Sequence, residues 1–129
     1  MSTPKTIKPT ESELEILQIL WSKGLATVRE VHEGLAKTKD VGYTTTLKLM
    51  QIMNEKGLLT RQKSGKLHLY KAVTSQESTN RQLVHKMIET VFQGSAAQLV
   101  LSALGNRKSS KEELEEIRQY LDKLEGGQS

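Results

Sequence analysis

The chain has 129 residues, 36% of them apolar and only 4% aromatic, with no cysteine and a net charge of +4. Such a length fits one domain, or a small domain plus an assembly element, around an aliphatic core. Disulfides, thiolate metal sites and cysteine nucleophiles are excluded, which suits a reducing cytosol and a cytoplasmic location; no apolar run approaches a membrane span, and no signal-peptide core is present.

Residues 1–9 are polar with two prolines and read as a loose arm. Thr10-Glu11-Ser12-Glu13 is a capping box, in which a hydroxyl takes the amide three residues on and the carboxylate reaches back. It opens a helix to about Ser22, with Leu14, Leu17 and Trp21 on one side and Ile16 and Leu20 beside them, closed by Gly24. Leu25-Ala26 suits a very short extended piece. Thr27-Val28-Arg29-Glu30 is a second capping box, and the helix it starts buries Val28, Val31 and Leu35 and runs to about Lys37.

After a turn at Thr38 to Gly42 comes the segment the rest serves, Tyr43 to Gly57. As a helix it sets Thr46, Leu49, Met50 and Met53 in one mostly apolar stripe. Thr44, Lys48 and Gln51 share the opposite side, with Thr45 next to them. Hydroxyls, an amide and an ammonium can reach phosphates and base edges, and no carboxylate repels a polyanion until Glu55 at the far end. Gly57 stands where a left-handed residue ends a helix. This reads as a recognition helix for the DNA major groove, the second helix of a helix-turn-helix. For the segment taken alone, a solvated face is the plain alternative.

Leu58 to Lys63 then reads as a strand, Ser64-Gly65 as a tight turn and Lys66 to Val73 as the return strand. A hairpin directly after a recognition helix is a wing. Lys63 and Lys66 flank its tip and Arg61 lies one step back, so it can straddle a phosphate backbone; otherwise these are edge-strand cations that discourage aggregation.

Thr74-Ser75-Gln76-Glu77 is a third capping box for a long helix carrying Leu83, Val84, Met87, Ile88 and Val91 to about Phe92. Gly94 breaks it. Ser95 caps a short apolar helix, Ala96 to Leu104, closed by Gly105. Ser110 to Glu113 opens a last helix whose Leu114, Ile117, Leu121 and Leu124 form an a/d-type seam, and the tail from Gly126 reads as disordered.

Charge divides unevenly along this order. Residues 1–74 carry twelve Lys/Arg against seven Asp/Glu, and residues 75–129 seven against eight. A basic first half suggests nucleic acid as partner. The fold expected is therefore mainly α with a small β-hairpin: a winged helix-turn-helix over 1–74 and a helical dimerisation region over 75–129. A seam as narrow as that of the last helix needs another surface. Folding back on the first domain would supply one; pairing with a second copy would also present two recognition helices to half-sites about one helical turn apart. Leu83, Met87, Val91, Leu99, Leu114, Ile117 and Leu121 are the candidate dimer-interface residues. The candidate DNA-binding residues are Tyr43, Thr44, Thr45, Lys48, Gln51, Arg61, Lys63 and Lys66.

The chain also resembles a known family. Pro9-Thr10-Glu11-Ser12-Glu13-Leu14-Glu15-Ile16-Leu17, Ile19-Leu20-Trp21, Thr27-Val28-Arg29-Glu30-Val31, Tyr43-Thr44-Thr45-Thr46-Leu47, Glu55-Lys56-Gly57-Leu58-Leu59 and Leu99-Val100-Leu101 look like segments of penicillinase and methicillinase repressors. The resemblance spans most of the chain in order. It implies a bacterial dimeric winged-helix repressor on a palindromic operator, with β-lactamase or penicillin-binding-protein genes as targets and a membrane-bound sensor metalloprotease as partner. It also implies DNA contacts from Thr44, Thr45, Lys48 and Gln51 and from the wing near Lys63 to Lys66. Three departures stand out. The well-studied repressors look to carry Arg where Leu47 and Ile52 stand, which bears on the bases contacted. Those inactivated by proteolysis are cut at an Asn-Phe bond, whereas the aligned candidate cleavage position here is Ser102-Ala103, a departure that bears on induction by such a cut. Copper-responsive relatives end in a cysteine-rich motif that this chain cannot form.

Catalysis finds no support in the residues. His32, His68 and His85 have no metal-ligand spacing, no glycine-rich phosphate loop is present, and Glu112-Glu113 and Glu115-Glu116 complement the dipole of a helix start. No enzyme, metal or cofactor is expected. The competing reading is a protein-interaction module on a winged-helix scaffold without DNA binding.

Overall fold

The computed structural model describes residues 9–126. The expected arm, apart from Pro9, lies outside the described residues, as do the last three residues of the expected tail. Helices α1 (Glu11–Lys23), α2 (Val28–Ala36) and α3 (Tyr43–Lys56) lead into a hairpin of β1 (Leu59–Ser64) and β2 (Leu67–Ala72). Three more helices follow: α4 (Gln76–Thr90), α5 (Ala96–Gly105) and α6 (Lys111–Gly126). Gly126, read as tail, is thus the last residue of α6. The chain divides into two compact units, one up to His85 and the other from Lys86, so the division falls within α4. The expected domain boundary was set at the start of that helix.

In the first unit the predicted caps set α1 and α2. Thr10 and Glu13 form a full capping box, Glu13 N–H donating to Thr10 Oγ1 at 3.1 Å and Thr10 N–H to Glu13 Oε1 at 2.9 Å. Thr27 and Glu30 repeat it. Gly24, at φ +84, ends α1 in a conformation that side chains disfavour. The buried stripe of α1 is Glu13, Ile16, Leu17 and Leu20. Leu14 and Trp21, expected at its centre, sit half-buried at its edge. Trp21 stays there because its indole N–H donates to the Thr74 carbonyl at 2.8 Å, a polar end that a deep core would leave unpaired.

The core gathers Ile16, Leu17, Leu20, Ala26, Val31, Met50, Met53, Leu59 and Tyr70. It is aliphatic as expected, with Tyr70 as the aromatic exception. Residues 25–26 do form an extended piece: Ala26 and Tyr70 exchange backbone hydrogen bonds of 3.1 and 2.8 Å, an isolated bridge beside the hairpin. Three helices, this bridge and the hairpin make a winged helix-turn-helix.

Further on, the sequence expectations shift by a residue in two places. The hairpin pairs Ser64 with Leu67, so its turn is Gly65-Lys66 rather than Ser64-Gly65. Gly65 takes φ +63, which a two-residue turn with glycine first requires. The cap of α4 is Ser75, whose Oγ accepts from Ser78 N–H at 3.0 Å; the Thr74 hydroxyl instead lies 3.0 Å from that of buried Thr79. In the second unit Ser95 and Ser110 cap α5 and α6 as read. No side chain of α5 or α6 is buried, and Val91, Leu101, Tyr120, Leu121 and Leu124 are all more than half exposed.

Among the described residues one charged side chain is buried, and it lies in the first unit. Glu13 is 3% exposed and accepts from Lys56 Nζ at 2.8 Å, so the start of α1 holds the end of α3. Burial pushes the Glu13 carboxyl up, but the Lys56 bond, the Thr10 amide and hydroxyl and the Lys56 charge together hold it below its ordinary 4.5. A carboxyl lowered on folding adds stability that is complete above its unfolded pKa and lost as pH falls through the folded one. Glu13→Gln should therefore cost about 1 kcal/mol at pH 7, a value held down by the half-exposed lysine, because an amide can still cap but forms no ion pair. In urea melts the deficit should shrink below the ordinary carboxylate range; a deficit constant from neutral to acid pH would refute the role given to the pair.

Candidate nucleic-acid interface

Helix α3 starts after Gly42, which offers no side-chain cap. The neighbouring α2 supplies the fastening. Thr46 is fully buried, its hydroxyl 3.2 Å from His32 Nδ1 and 3.4 Å from the Gly42 carbonyl. The Tyr43 ring meets the His32 ring edge-on, with centroids 5.7 Å apart, and the Arg29 guanidinium carbon lies 5.7 Å from its centroid on a cation–π contact. At its other end Gly57 turns left-handed at φ +86. Its amide donates to Asn54 and that of Leu58 to Met53, the bonding of a Schellman stop, with Leu58 and Met53 both buried.

Fixed at both ends, α3 turns Thr46, Met50 and Met53 inward. Leu49, expected with them, is half-buried. Thr44, Thr45, Lys48 and Gln51 are all exposed, as the periodicity predicts, with Ile52 among them at 39% and Glu55 last in line.

The hairpin stands beside this helix. Buried Tyr70 and its bridge to Ala26 seat the base, and Arg61, Lys63 and Lys66 are exposed toward the tip. Cross-strand partners and alternate residues share a side, so Arg61, Lys63, His68 and Tyr70 lie on one face of the hairpin. Leu67 is 59% exposed next to the turn. A concavity opens between the start of α2, α3 and the hairpin. It brings together Tyr43, Gln51, Arg61 and Lys66 of the expected set, while Thr44, Thr45, Lys48 and Lys63 lie outside its wall.

Two residues in that wall escaped the sequence reading. The sequence placed Arg29 in a capping box and a family segment and His68 in a strand without metal-ligand spacing, neither as a DNA contact; both line the concavity. Their sole signal is tertiary, since neither shares a periodic pattern with α3. No acidic side chain lines the concavity.

The other predicted sites fall in α4 to α6. Leu83, Leu99, Leu114 and Ile117 are half-buried and Met87, Val91 and Leu121 exposed. Ser102 and Ala103 lie inside α5. Among the described residues no group of three or more His, Cys, Asp or Glu could hold a metal, and no helix is long and apolar enough to cross a membrane.

Comparison with known proteins bears on what this surface meets. The family model described as penicillinase repressor matches residues 9–123. The chain belongs to that family. The methicillin resistance regulatory protein MecI of Staphylococcus aureus (strain N315) is 27% identical over 92% of this chain and 97% of its own length. The penicillinase repressor of Bacillus licheniformis is 25% identical, covering 88% of each. In fold, the chain is similar to the DNA-binding domain of the repressor BlaI, with a TM-score of 0.51 and 23% identity over 57% of this chain and 90% of that one. Family membership makes this chain a transcriptional repressor.

Tyr70 carries the hairpin against the helices, so Tyr70→Ala should cost about 3–5 kcal/mol, as removal of a fully buried ring does. Thermal melts followed through Trp21, the one tryptophan, would measure it; a loss under about 1 kcal/mol would mean that the hairpin is held elsewhere.

Proposed function

We propose that the chain is a homodimeric, cytoplasmic winged-helix repressor that grips a palindromic operator through α3 and the hairpin of each copy. The observation that carries the reading is the outer face of α3: four exposed hydroxyl, amide and ammonium side chains, free of acid up to Glu55, beside an acid-free basic concavity. Thr44, Thr45, Lys48 and Gln51 are assigned to the major groove, and Arg61, Lys63 and Lys66 to the backbone. Relatives named for methicillin resistance and penicillinase make β-lactam-resistance genes the proposed targets.

Dimerisation is assigned to α4 to α6, through Leu83, Met87, Val91, Leu99, Leu114, Ile117 and Leu121. Two helices without one buried side chain favour that assignment, because apolar surface left in water forgoes about 25 cal/mol per Å². The partner proposed to end repression is a membrane-bound sensor metalloprotease, as the family resemblance implies. Its candidate target, Ser102-Ala103, sits in a helix, so a cut there requires α5 to open first.

Gel shifts on the chain's own promoter, run at rising salt, test the repressor. With about 6–10 phosphate contacts, affinity should fall roughly 10³–10⁵-fold between about 50 and 200 mM salt. Lys48→Ala with Gln51→Ala should narrow the preference for that promoter over a scrambled duplex, by about 1–3 kcal/mol for each base-reading side chain removed. A flat salt response, or an undiminished preference, would favour a protein-interaction module instead.

For the dimer, Ile117→Asp with Leu121→Asp puts two carboxylates on the proposed seam. Light scattering should then report half the wild-type mass, since neither charge would find a partner there. An unaltered mass would remove the α6 seam from the interface.

A further inference from the structure

The wall of the concavity contains a cation that neither the motif reading nor the family resemblance uses. Arg29 stands at the start of α2, its guanidinium carbon 5.7 Å from the centre of the Tyr43 ring. That ring is itself held by the edge of His32, whose imidazole meets buried Thr46. Arg29 is thereby braced through α2 onto the first turn of α3. Arg61 and Lys66 of the hairpin line the same concavity, and no carboxylate does. The ion pairs among the described residues use Lys39, Lys56 and Arg118, so Arg29, Arg61 and Lys66 have no acidic partner there. Unneutralised like charges gathered around one hollow repel each other, and an anion in the hollow relieves that repulsion. The hydroxyl of Tyr43 makes no hydrogen bond among the described residues and adds a free donor on the same wall.

We propose that Arg29, braced on the Tyr43 ring, takes a backbone phosphate of the bound duplex together with Arg61, and so sets affinity and register without reading bases. The inference rests on the repressor reading and deepens it. An arginine suits this task because its planar fork meets a phosphate in two parallel hydrogen bonds while its face stacks on an aromatic ring. The seat also places that phosphate where α2, α3 and the hairpin meet, so one contact orients all three elements on the duplex.

The test compares Arg29→Ala, Arg29→Lys and the Lys48→Ala/Gln51→Ala pair with wild type, each checked for folding by its melting temperature. Binding is followed on the chain's own promoter and on a scrambled duplex of equal composition, at several salt concentrations. Arg29→Ala should weaken both duplexes alike, by about tenfold at low salt, as removal of a charge-assisted hydrogen bond does. Its salt slope should be shallower by about 0.9, so that its drop in affinity between about 50 and 200 mM salt is about 3.5-fold smaller than wild type's. Arg29→Lys keeps the charge and should keep the slope. The Lys48→Ala/Gln51→Ala pair should instead compress the difference between the two duplexes. An unchanged slope in Arg29→Ala, or weakening confined to the promoter duplex, would overturn the phosphate contact while leaving the repressor standing. Failure of wild type to bind either duplex would remove the repressor reading itself. A last arm uses inorganic phosphate without DNA: if it raises the melting temperature of wild type but not of Arg29→Ala, and duplex affinity is the same for both, the seat belongs to a free anion and the proposal fails.

Discussion

Helix α3 is tied to other helices at both of its ends, and the orientation of everything it presents depends on those ties. At its start Thr46 and Tyr43 are held by His32 and Arg29 of α2. At its close Gly57 turns the chain back and Lys56 reaches the buried carboxylate of Glu13. A helix seated only by an apolar stripe can rotate about its axis at small cost when the stripe is shallow, and here three side chains are fully buried, one of them a threonine. Directional bonds at the two termini remove that freedom. The carboxylate is the more demanding of the two ties: a buried charge left without Lys56 would cost more than the pair contributes, so it penalises misplacement of the helix end more than it rewards correct placement.

The arrangement also explains which parts of the fold could be read from the sequence. Local chemistry was legible. Thr10, Thr27, Ser95 and Ser110 cap where they were expected, because a cap bond closes within three residues. Gly57 and the hairpin were legible for the same reason. Periodicity gave α2 in full and the outward face of α3. It misplaced the centre of α1, because a hydrophobicity pattern cannot anticipate that a glutamate with a lysine forty-three residues away will be buried while Trp21 keeps to the edge. The one-residue shifts at Gly65-Lys66 and Ser75 have the same origin, since two adjacent residues could serve equally and pairing elsewhere decided between them. Arg29 was invisible as a site residue, its meeting with Tyr43 being made by the fold.

On the proposed reading, the two faces of the interface divide their work. Thr44, Lys48 and Gln51 can distinguish base edges, and they sit on the helix whose orientation is most restrained. Arg29, Arg61, Lys63 and Lys66 are sequence-blind and act through counterion release. The separation has a physical basis, since reading a base requires a donor placed within tenths of an ångström, whereas attracting a phosphate tolerates a mobile side chain on a hairpin. Placing the restrained groups on α3 and the free cations on the hairpin matches each task to the rigidity of its support.

On the same reading, the small number of cations on one surface would make a second copy necessary. One copy offers Arg29, Arg61, Lys63 and Lys66, only a handful of phosphate contacts, which in other proteins corresponds to weak and salt-labile binding. Joining two such surfaces turns the second binding event into an intramolecular one, with a gain of about 10²–10⁴ and no further base recognition. Helices α5 and α6, which bury none of their own side chains, would then be the elements whose association supplies that gain. Operator affinity and the stability of these helices would become linked quantities. On that proposal, anything that opens α5, including a cut within it, would weaken DNA binding without touching a residue that faces the duplex.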